Sequence, residues 1–336
     1  MSERSDQIDR FLADTGWPST HRQHLAGDAS GRRYQRLHRS GHPSLILMDA
    51  PPADTQSFAS FLSIARHLRQ LGLSAPDILA SNKSLGLILM EDLGHTVFAR
   101  QIDAHPADEL TLYQNATDVV IALRDAALPS GIQHHTASEL AGFTQLATEW
   151  YCRPSDDQNL ALLAELETVL VPVAEDQATL ALRDYHAENL IWIADRIGVA
   201  RVGLLDFQDA VIAHASYDLA SLLTDARRDV PDGLRDAMIS RYVAATGIDA
   251  DQFHADFAVV SVQRNLRILG IFARLARAHG KPSYIDLIPR VWRYLMLELN
   301  HPALSRLREC AIQAIPEPTP QYLKELLATC ATRPGP

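Results

Sequence analysis

The hydrophobic pattern of the chain changes near residue 95, and the change limits the folds open to it. From about residue 25 to residue 95, short apolar runs separated by turn residues indicate strands, with one amphipathic helix inserted. After residue 96 helical periodicity dominates, except over 180–212, where short apolar runs alternate with polar loops. This order predicts an α+β fold with a small β-rich N-lobe over 1–95 and a larger helical C-lobe over 96–336.

Several segments of the expected N-lobe give sharper predictions. RRYQRLHR and SLILMDAP read as paired strands joined by a turn at residues 40–43, and LGLILM reads as a buried strand. FASFLSIARHLRQLGL reads as a helix that Gly72 ends, and QIDRFLADTGW reads as an N-terminal helix. The apolar positions expected on these two helices are Phe58, Phe61, Leu62, Ala65 and Leu68, and Ile8, Phe11 and Leu12.

Composition excludes several classes of protein. Among 336 residues, 47% are hydrophobic and 21% charged, which indicates a folded globular protein. The formal net charge of −10 disfavours binding to nucleic acid or to an anionic membrane surface. The apolar runs are too short to span a membrane, and the N-terminus lacks the apolar core of a secretory signal. Three scattered cysteines indicate neither a zinc site nor a disulfide framework, so a cytoplasmic protein is expected. The sequence also indicates no obligate protein partner.

Two polar segments carry the chemistry, RDYHAEN at 183–189 and LLDFQD at 204–209. Mg²⁺ prefers oxygen ligands and keeps several waters, so one carboxylate and one amide are enough to hold it on a nucleotide. Phosphoryl transfer also needs a separate carboxylate that orients the attacking hydroxyl and accepts its proton. The spacing therefore predicts an ATP-dependent transfer with Asp184 as base and Asn189 and Asp206 on Mg²⁺. A single Asp of this kind is often only a helix cap or a turn residue, so the prediction depends on the ordered set.

The ordered set resembles the aminoglycoside phosphotransferase and choline kinase family over about residues 25–300. The family's D-x-H-x-x-N loop, its hydrophobic-D-[FW] segment and its later Y-D-L segment are matched by Asp184, His186 and Asn189, by Leu205, Asp206 and Phe207, and by Tyr217, Asp218 and Leu219. The resemblance implies a protein-kinase-like bilobal fold that uses ATP and Mg²⁺. It also implies that Asp218 supports the catalytic loop.

The resemblance extends to the nucleotide side. GDASGRRYQRL would form the hairpin over the phosphates, which involves Ser30 and Gly31, although a Gly-Ser turn alone is more often an ordinary hairpin. MEDLG resembles the family's hinge, where the backbone of Glu91 and Leu93 would meet the adenine edge. Without the other motifs, the same residues would be read as a turn at the start of a helix.

One departure concerns the lysine that the family carries on its third strand. Met48 stands in that position, and helix 58–71 contains no acidic residue that could pair with a lysine. Because guanidinium groups bind phosphate bidentately, we expect Arg32, Arg33 or Arg36 to supply the missing charge. The alternative is that these arginines are solvated surface residues.

The acceptor is predicted from charge and from a closer resemblance. Between Asp256 and Glu298 seven basic residues face three acidic ones, which suits a neutral or anionic acceptor better than a polycationic aminoglycoside. The segments DASGRRY, ILMDAPP, LRDYHAENL and GLLDFQDAV resemble bacterial anomeric kinases of cell-wall recycling, which phosphorylate N-acetylmuramate and N-acetylglucosamine at the C1 hydroxyl. The resemblance implies an N-acetylated amino sugar as the small-molecule substrate. Our further hypothesis is that an arginine of the helical lobe meets the lactyl carboxylate of N-acetylmuramate, which would then be used better than N-acetylglucosamine.

Three further residues are expected near the sugar. Gln208 and Asp209 follow the metal ligand and would line the sugar pocket, and His186 would brace the loop beside it. Other acceptors remain open, namely choline, homoserine, a thiosugar or an aminoglycoside. A nucleotide-binding pseudokinase is a further alternative because the lysine is missing. A protein kinase is disfavoured, since neither an APE-like segment nor an activation loop follows Asp206.

Overall fold

The computed structural model describes residues 3–18, 21–25, 31–50 and 55–330. The chain divides into two compact units, residues 1–119 with 187–210, and residues 120–186 with 211–336. Each unit is thus built from two separate stretches of chain. The lobe boundary expected after residue 95 stays a prediction. Within the described ranges, no helix combines the length and the apolar character needed to cross a bilayer.

The strands have three to six residues each, and half of the helices named below follow the last strand in the chain. The strands are β1 (His21–Leu25), β2 (Arg33–His38), β3 (Leu45–Asp49), β4 (Ile78–Asn82), β5 (Leu87–Glu91), β6 (Thr179–Ala181), β7 (Leu190–Trp192), β8 (Val202–Leu204) and β9 (Val211–Ala213). The helices are α1 (Glu3–Asp14), α2 (Thr55–Gln70), α3 (Phe98–Ala104), α4 (Glu109–Arg124), α5 (Ala137–Gly142), α6 (Asp156–Glu175), α7 (Tyr217–Leu223), α8 (Asp232–Thr246), α9 (Ala250–His279), α10 (Ile288–Glu298), α11 (Ser305–Ala314) and α12 (Pro320–Ala328). This content confirms the α+β class.

An antiparallel sheet in the order β1-β2-β3-β5-β4 forms the centre of the first unit. The predicted pairing of β2 with β3 is confirmed, with Tyr34 opposite Met48. Strand β1 was not predicted, because HRQHL is polar and none of its residues is buried. Strand β4 was not predicted either, and its outward positions are exposed at this edge of the sheet.

The two faces of this sheet have different partners. The predicted helix α1 packs its buried face onto one of them, in a cluster formed by Ile8, Phe11, Leu12, Leu37, Leu45, Leu47, Leu87 and Leu89. Because successive residues of a strand point to opposite faces, Ile46 and Met48 lie on the other face. The predicted helix α2 is also confirmed. Its stripe is buried except at Leu62, which is half-buried, and Gly72 follows it with φ 77°.

Helix α9 runs through the second unit and buries much of its length. Asp249 caps its N-terminus, because its side chain accepts a hydrogen bond from the Gln252 amide at 2.9 Å. Gly270 allows a close approach to the π-helical turn Ala147–Tyr151, since a Cβ there would lie 2.2 Å from the backbone carbon of Leu146. Two small antiparallel pairs, β7 with β8 and β6 with β9, confirm the strands expected over 180–212.

Candidate active site

The β7–β8 pair brings the two predicted metal ligands together. Asn189 immediately precedes β7 and Asp206 follows β8, and the pairing places Leu190 opposite Leu204. Residues just outside the paired ends therefore meet, with the Asn189 Nδ2 atom 3.5 Å from the Asp206 Oδ2 atom. The Leu205 amide donates to the Asn189 carbonyl at 3.1 Å, which fixes the two backbones relative to each other.

Asp206 has a left-handed backbone conformation, with φ 57°. Such a conformation costs a non-glycine residue about 1–2 kcal/mol and persists only where the surroundings enforce it. Gln208 supplies part of that support, because its Nε2 donates to Asp206 Oδ1 at 2.7 Å and its carbonyl accepts from the Ser60 hydroxyl at 2.5 Å. Phe207 stacks on Phe61 of α2, with the ring centroids 5.0 Å apart. Contacts with Ser60 and Phe61 of α2 thus hold the residues after Asp206, and Gln208 holds its carboxylate.

The donor chemistry of this pair fits Mg²⁺. One carboxylate and one amide oxygen suit a hard cation that keeps several of its waters and completes its shell with phosphate oxygens. In the described part of the chain, no group of three or more His, Cys, Asp or Glu side chains is arranged to hold a metal ion. A zinc site, which needs three or four such ligands, therefore has no candidate in those residues.

A cavity of about 270 Å³ in the first unit opens beside this pair. Its walls are apolar and its polar groups are few, as in pockets that bind a flat base. It is lined by Leu25, Tyr34, Arg36, Ile46, Phe61, Pro76, Met90, Glu91, Asp92, Leu93, Gly94, Asn189, Ile191, Leu205, Asp206 and Phe207. The set includes both predicted hinge residues and both predicted metal ligands.

The hinge residues present different groups to this cavity. The Glu91 amide already donates to the Asp77 carbonyl at 2.8 Å, so the contribution of Glu91 to a bound base is limited to its carbonyl. The Glu91 side chain accepts hydrogen bonds from Arg196 and Arg69, which holds the end of β5. Gly31 has φ 76° just before β2, whereas Ser30 lies outside the described residues.

The three candidate arginines have different surroundings. Arg36 is bound by the Asp92 carboxylate at 2.6 and 3.0 Å and by the Gly94 carbonyl at 2.9 Å. Arg33 is exposed and, one residue along the strand, lies on the opposite face from Arg32. Arg32 is 4% exposed, donates to the Ser57 hydroxyl, and has no partner for its Nη1 atom among the described residues.

Asp92 was missed by the sequence analysis, although it lies inside the hinge motif. Burial raises the pKa of its carboxyl, but hydrogen bonds from Arg36 and Ser44 outweigh burial and lower the pKa overall. The residue is therefore the ionised anchor of Arg36. The MEDLG motif contains Asp92, but the sequence does not show that the Arg36 side chain on β2 binds its carboxylate.

The loop that carries Asp184 lies in the second unit and is held by Asp218. The Asp218 carboxylate accepts hydrogen bonds from the Leu182 amide at 2.7 Å and the Arg183 amide at 2.9 Å. Arg183 has φ 73°, and its carbonyl accepts from Ser221 at 2.9 Å and from Arg264 at 3.2 Å. Burial raises the pKa of Asp218 to about 6, against these two backbone hydrogen bonds. Asp218 therefore fixes an unusual backbone conformation one residue before Asp184.

His186 is buried in the same loop, and Arg227 Nη1 lies 3.2 Å from its Nε2 atom. Burial, reinforced by Arg227, holds the pKa of this imidazole well below its usual range, so the ring is neutral at pH 7. A neutral ring accepts the Arg227 hydrogen bond at Nε2, which is the behaviour of a bracing residue. Asp209, the other residue expected near the sugar, is exposed and lies in the first unit.

Residues 21–255 match the sequence model of the phosphotransferase enzyme family. The N-acetylmuramate/N-acetylglucosamine kinase of Caulobacter vibrioides is 38% identical, over 95% of this chain and 98% of its own. Two solved structures share the fold. The choline kinase LicA from Streptococcus pneumoniae has a TM-score of 0.64 at 14% identity, covering 88% of this chain and 100% of its own. The ADP-bound aminoglycoside phosphotransferase APH(2'')-Ib has a TM-score of 0.59 at 13% identity, covering 88% of this chain and 96% of its own.

These similarities confirm the resemblance and the kinase-like fold inferred from the motifs. At 13–14% identity the two structures show the fold alone. The similarity to the relative from Caulobacter vibrioides extends over nearly the whole length of both chains.

Proposed function

Because the chain belongs to the phosphotransferase enzyme family, we propose that it transfers the γ-phosphoryl group of ATP to the C1 hydroxyl of N-acetylmuramate and N-acetylglucosamine. The observation that carries the proposal is the Asn189–Asp206 pair, which lines a cavity of about 270 Å³ together with the hinge residues Glu91 and Leu93. The acceptor is taken from the relative that is 38% identical along nearly its whole length. Such a reaction would return sugars released from peptidoglycan to metabolism in the cytoplasm, where ATP is present.

We assign the proton-accepting role to Asp184. It would hydrogen-bond the sugar C1 hydroxyl and align it with the phosphoryl group, taking the proton late in a loose transition state. An anomeric hydroxyl is more acidic than an ordinary alcohol, so a carboxylate suffices as its base. Asp218 serves this role indirectly, because it fixes the backbone immediately before Asp184.

We assign the metal-holding role to Asn189 and Asp206, with Gln208 positioning the Asp206 carboxylate. Mg²⁺, when bound, neutralises charge on the phosphate oxygens. The adenine would lie against the apolar wall of the cavity, with its edge at the Glu91 carbonyl and the Leu93 amide. The ADP-bound structure that shares this fold supports a nucleotide as the donor.

Arg32 is our candidate for the missing lysine. Arg32 directly precedes β2 and continues the alternation of Tyr34 and Arg36, which both line the nucleotide cavity. Tyr34 stands opposite Met48 across the sheet, so Arg32 is the diagonal neighbour of Met48 on the same face. Arginine side chains reach across such diagonals. Because Arg36 is bound to Asp92 and Arg33 faces away, Arg32 remains to contact the phosphates.

His186, Gln208 and Asp209 are assigned less directly to the sugar. His186 would brace the loop beside the acceptor, and Asp209, which is exposed, would contact the sugar. The buried position of Gln208 favours its contact with Asp206 over direct contact with the sugar. These assignments rest on position in the motifs.

Consumption of ATP over a panel of acceptors tests the proposal. We expect Mg²⁺-dependent ADP formation with N-acetylmuramate and N-acetylglucosamine, and little with choline, homoserine, a thiosugar or an aminoglycoside. Turnover with one of the other acceptors would keep the kinase and change its substrate. Nucleotide binding without turnover on any acceptor would favour a pseudokinase and would contradict the proposal.

A further inference from the structure

A second cavity lies in the second unit and is lined by residues of the catalytic loop, β9, α6 and α9. Its volume is about 30 Å³. Since a water needs roughly 10–15 Å³ in this measure, the cavity admits two or three water-sized groups. A carboxylate is of that size, whereas a sugar ring is not. The cavity can therefore hold one substituent of a ligand.

The charged residues that line this cavity have one sign, although Glu139, Asp176 and Asp256 lie near its two histidines. Arg183 and Arg267 line it, and none of its lining residues is Asp or Glu. The neutral polar groups that line it are Gln177, Gln263 and Tyr217, and two histidines, His135 and His214, complete the polar lining. Two guanidinium groups without a lining carboxylate attract an anion.

The titration of neighbouring groups reflects the same positive potential. Burial would raise the pKa of Tyr217, yet Arg264, Arg183 and Arg267 lower it overall. The pKa of His135 is lowered by burial first and then by Arg183 and Arg267, against the opposing charge of Glu139. His214 does not report this potential, because burial lowers its pKa while the carboxylates of Asp176 and Asp256, each 3.6 Å from its Nε2 atom, oppose that shift.

Arg267 is held in place without using all its donors. Its guanidinium lies 5.3 Å from the ring centroid of Phe143, which fixes its plane. Its Nε atom is buried and has no hydrogen-bond partner among the described residues. Burial and Arg183 lower its pKa, while Tyr217 and Asp184 raise it, so Asp184 is within electrostatic reach. A buried donor without a partner is costly, and a bound anion would remove that cost.

We propose that Arg183 and Arg267 form a subsite for a carboxylate carried by the acceptor. The inference rests on the proposed kinase function and adds the residues that would recognise the acidic substituent of the acceptor. The acceptor would place its reacting hydroxyl at Asp184 and its carboxylate in this cavity. N-acetylmuramate, which carries a lactyl carboxylate, has such a group, and N-acetylglucosamine does not.

The test compares three acceptors, N-acetylmuramate, its methyl ester and N-acetylglucosamine, with the wild-type enzyme and with Arg267→Gln. The matched control is Arg274→Gln, on the same helix and seven residues further along, outside the cavity lining. We expect Arg267→Gln to lower kcat/KM for N-acetylmuramate about 10- to 100-fold more than for N-acetylglucosamine, the range of a charge-assisted hydrogen bond. Arg274→Gln should leave that ratio as in the wild type.

The ester separates charge from size. Wild-type enzyme should use the ester about 10- to 100-fold less well than the acid, and Arg267→Gln should treat the two alike. Equal use of acid and ester by the wild type would overturn the subsite, and this arm holds even if Arg267→Gln does not fold. An equal loss on all three acceptors in the variant would make Arg267 merely structural. If the wild type phosphorylates none of the three, the proposed function itself is wrong.

Discussion

At the scale of single residues, the segments 183–189 and 204–209 share one feature, a non-glycine residue with positive φ. Arg183 and Asp206 are the non-glycine residues of the described chain with positive φ, and each adjoins or forms a proposed functional position. The Arg183 backbone donates to the Asp218 carboxylate and accepts from the Ser221 hydroxyl, and the Asp206 carboxylate accepts from the Gln208 side chain. Strain that is supported in this way keeps a carboxylate preorganised rather than free to rotate.

Removing the proposed base tests the residue roles most simply. Asp184→Asn keeps the size of the side chain and removes its ability to accept the proton. We expect kcat to fall by about 10²- to 10⁴-fold, with the dissociation constant for Mg²⁺–ATP near the wild-type value. Single-turnover kinetics and calorimetric nucleotide binding check the two parts. Activity within tenfold of the wild type would require another base.

The phosphate contact assigned to Arg32 gives a second prediction. Arg32→Met should raise the KM for ATP roughly 10- to 100-fold, because a charge-assisted contact to phosphate is lost. Arg33→Met is the matched control on the opposite face of β2 and should change this KM much less. A larger effect at Arg33 than at Arg32 would refute the assignment.

The raised pKa of Asp218 predicts that kcat and the free energy of unfolding change in opposite directions with pH. Its folded pKa is about 6, raised by burial, and only the ionised form accepts both backbone hydrogen bonds. We therefore expect kcat to fall as the pH drops below about 6. Because the native state binds more protons than the unfolded chain between pH 3.8 and about 6, this group's contribution to the free energy of unfolding decreases as the pH rises through that window.

Asp218→Asn is the comparison for both measurements. The variant should have low kcat at every pH and should lack the acid limb of the profile. Urea unfolding at several pH values should show a weaker dependence on pH between about 4 and 6 than in the wild type. An acid limb that persists unchanged in the variant would assign it to another group.

At the scale of elements, packing is set by a few close approaches. The backbone of α9 touches the turn after Leu146 at Gly270, where no side chain fits. Gly270→Ala should therefore destabilise the protein by about 1–3 kcal/mol or more, because the helix must move. Gly233→Ala in α8 is the control, because the new Cβ meets nothing within 4 Å beyond its chain neighbours and its own helix backbone, and it should stabilise by about 0.5–1 kcal/mol. Urea unfolding that places the two variants in the opposite order would contradict this account.

The sequence predicted elements where a single local signal dominates. Helices α1 and α2 have apolar stripes and β3 and β5 are buried runs, so burial and propensity agree for them. Strand β1 could not be predicted, because its pairing with β2 depends on tertiary contact and its residues are polar. The π-helical turn against Gly270 was also beyond local signals, since it is imposed by α9.

At the scale of the whole molecule, each proposed role depends on residues far apart in sequence. The motifs pointed to Asp184, Asn189 and Asp206, because the order of these side chains in the sequence matches that of a known family. The motifs did not predict the Arg36–Asp92 ion pair, which depends on the register of the strands. They also did not predict the cavity lined by Arg183 and Arg267, which depends on the side of α9 that faces the catalytic loop. The excess of arginine between Asp256 and Glu298 was visible, but the sequence did not show that Arg267 is the one that lines the cavity.

The identity of the product is the observation closest to the central proposal. Phosphorus NMR of the product formed from N-acetylmuramate, Mg²⁺ and ATP reports both whether a phosphoryl group is transferred and which hydroxyl receives it. We predict one ADP for each sugar phosphate, with the phosphorus coupled to the proton on C1. A phosphate at any other carbon, or ADP and inorganic phosphate without a sugar phosphate, would contradict the proposed reaction.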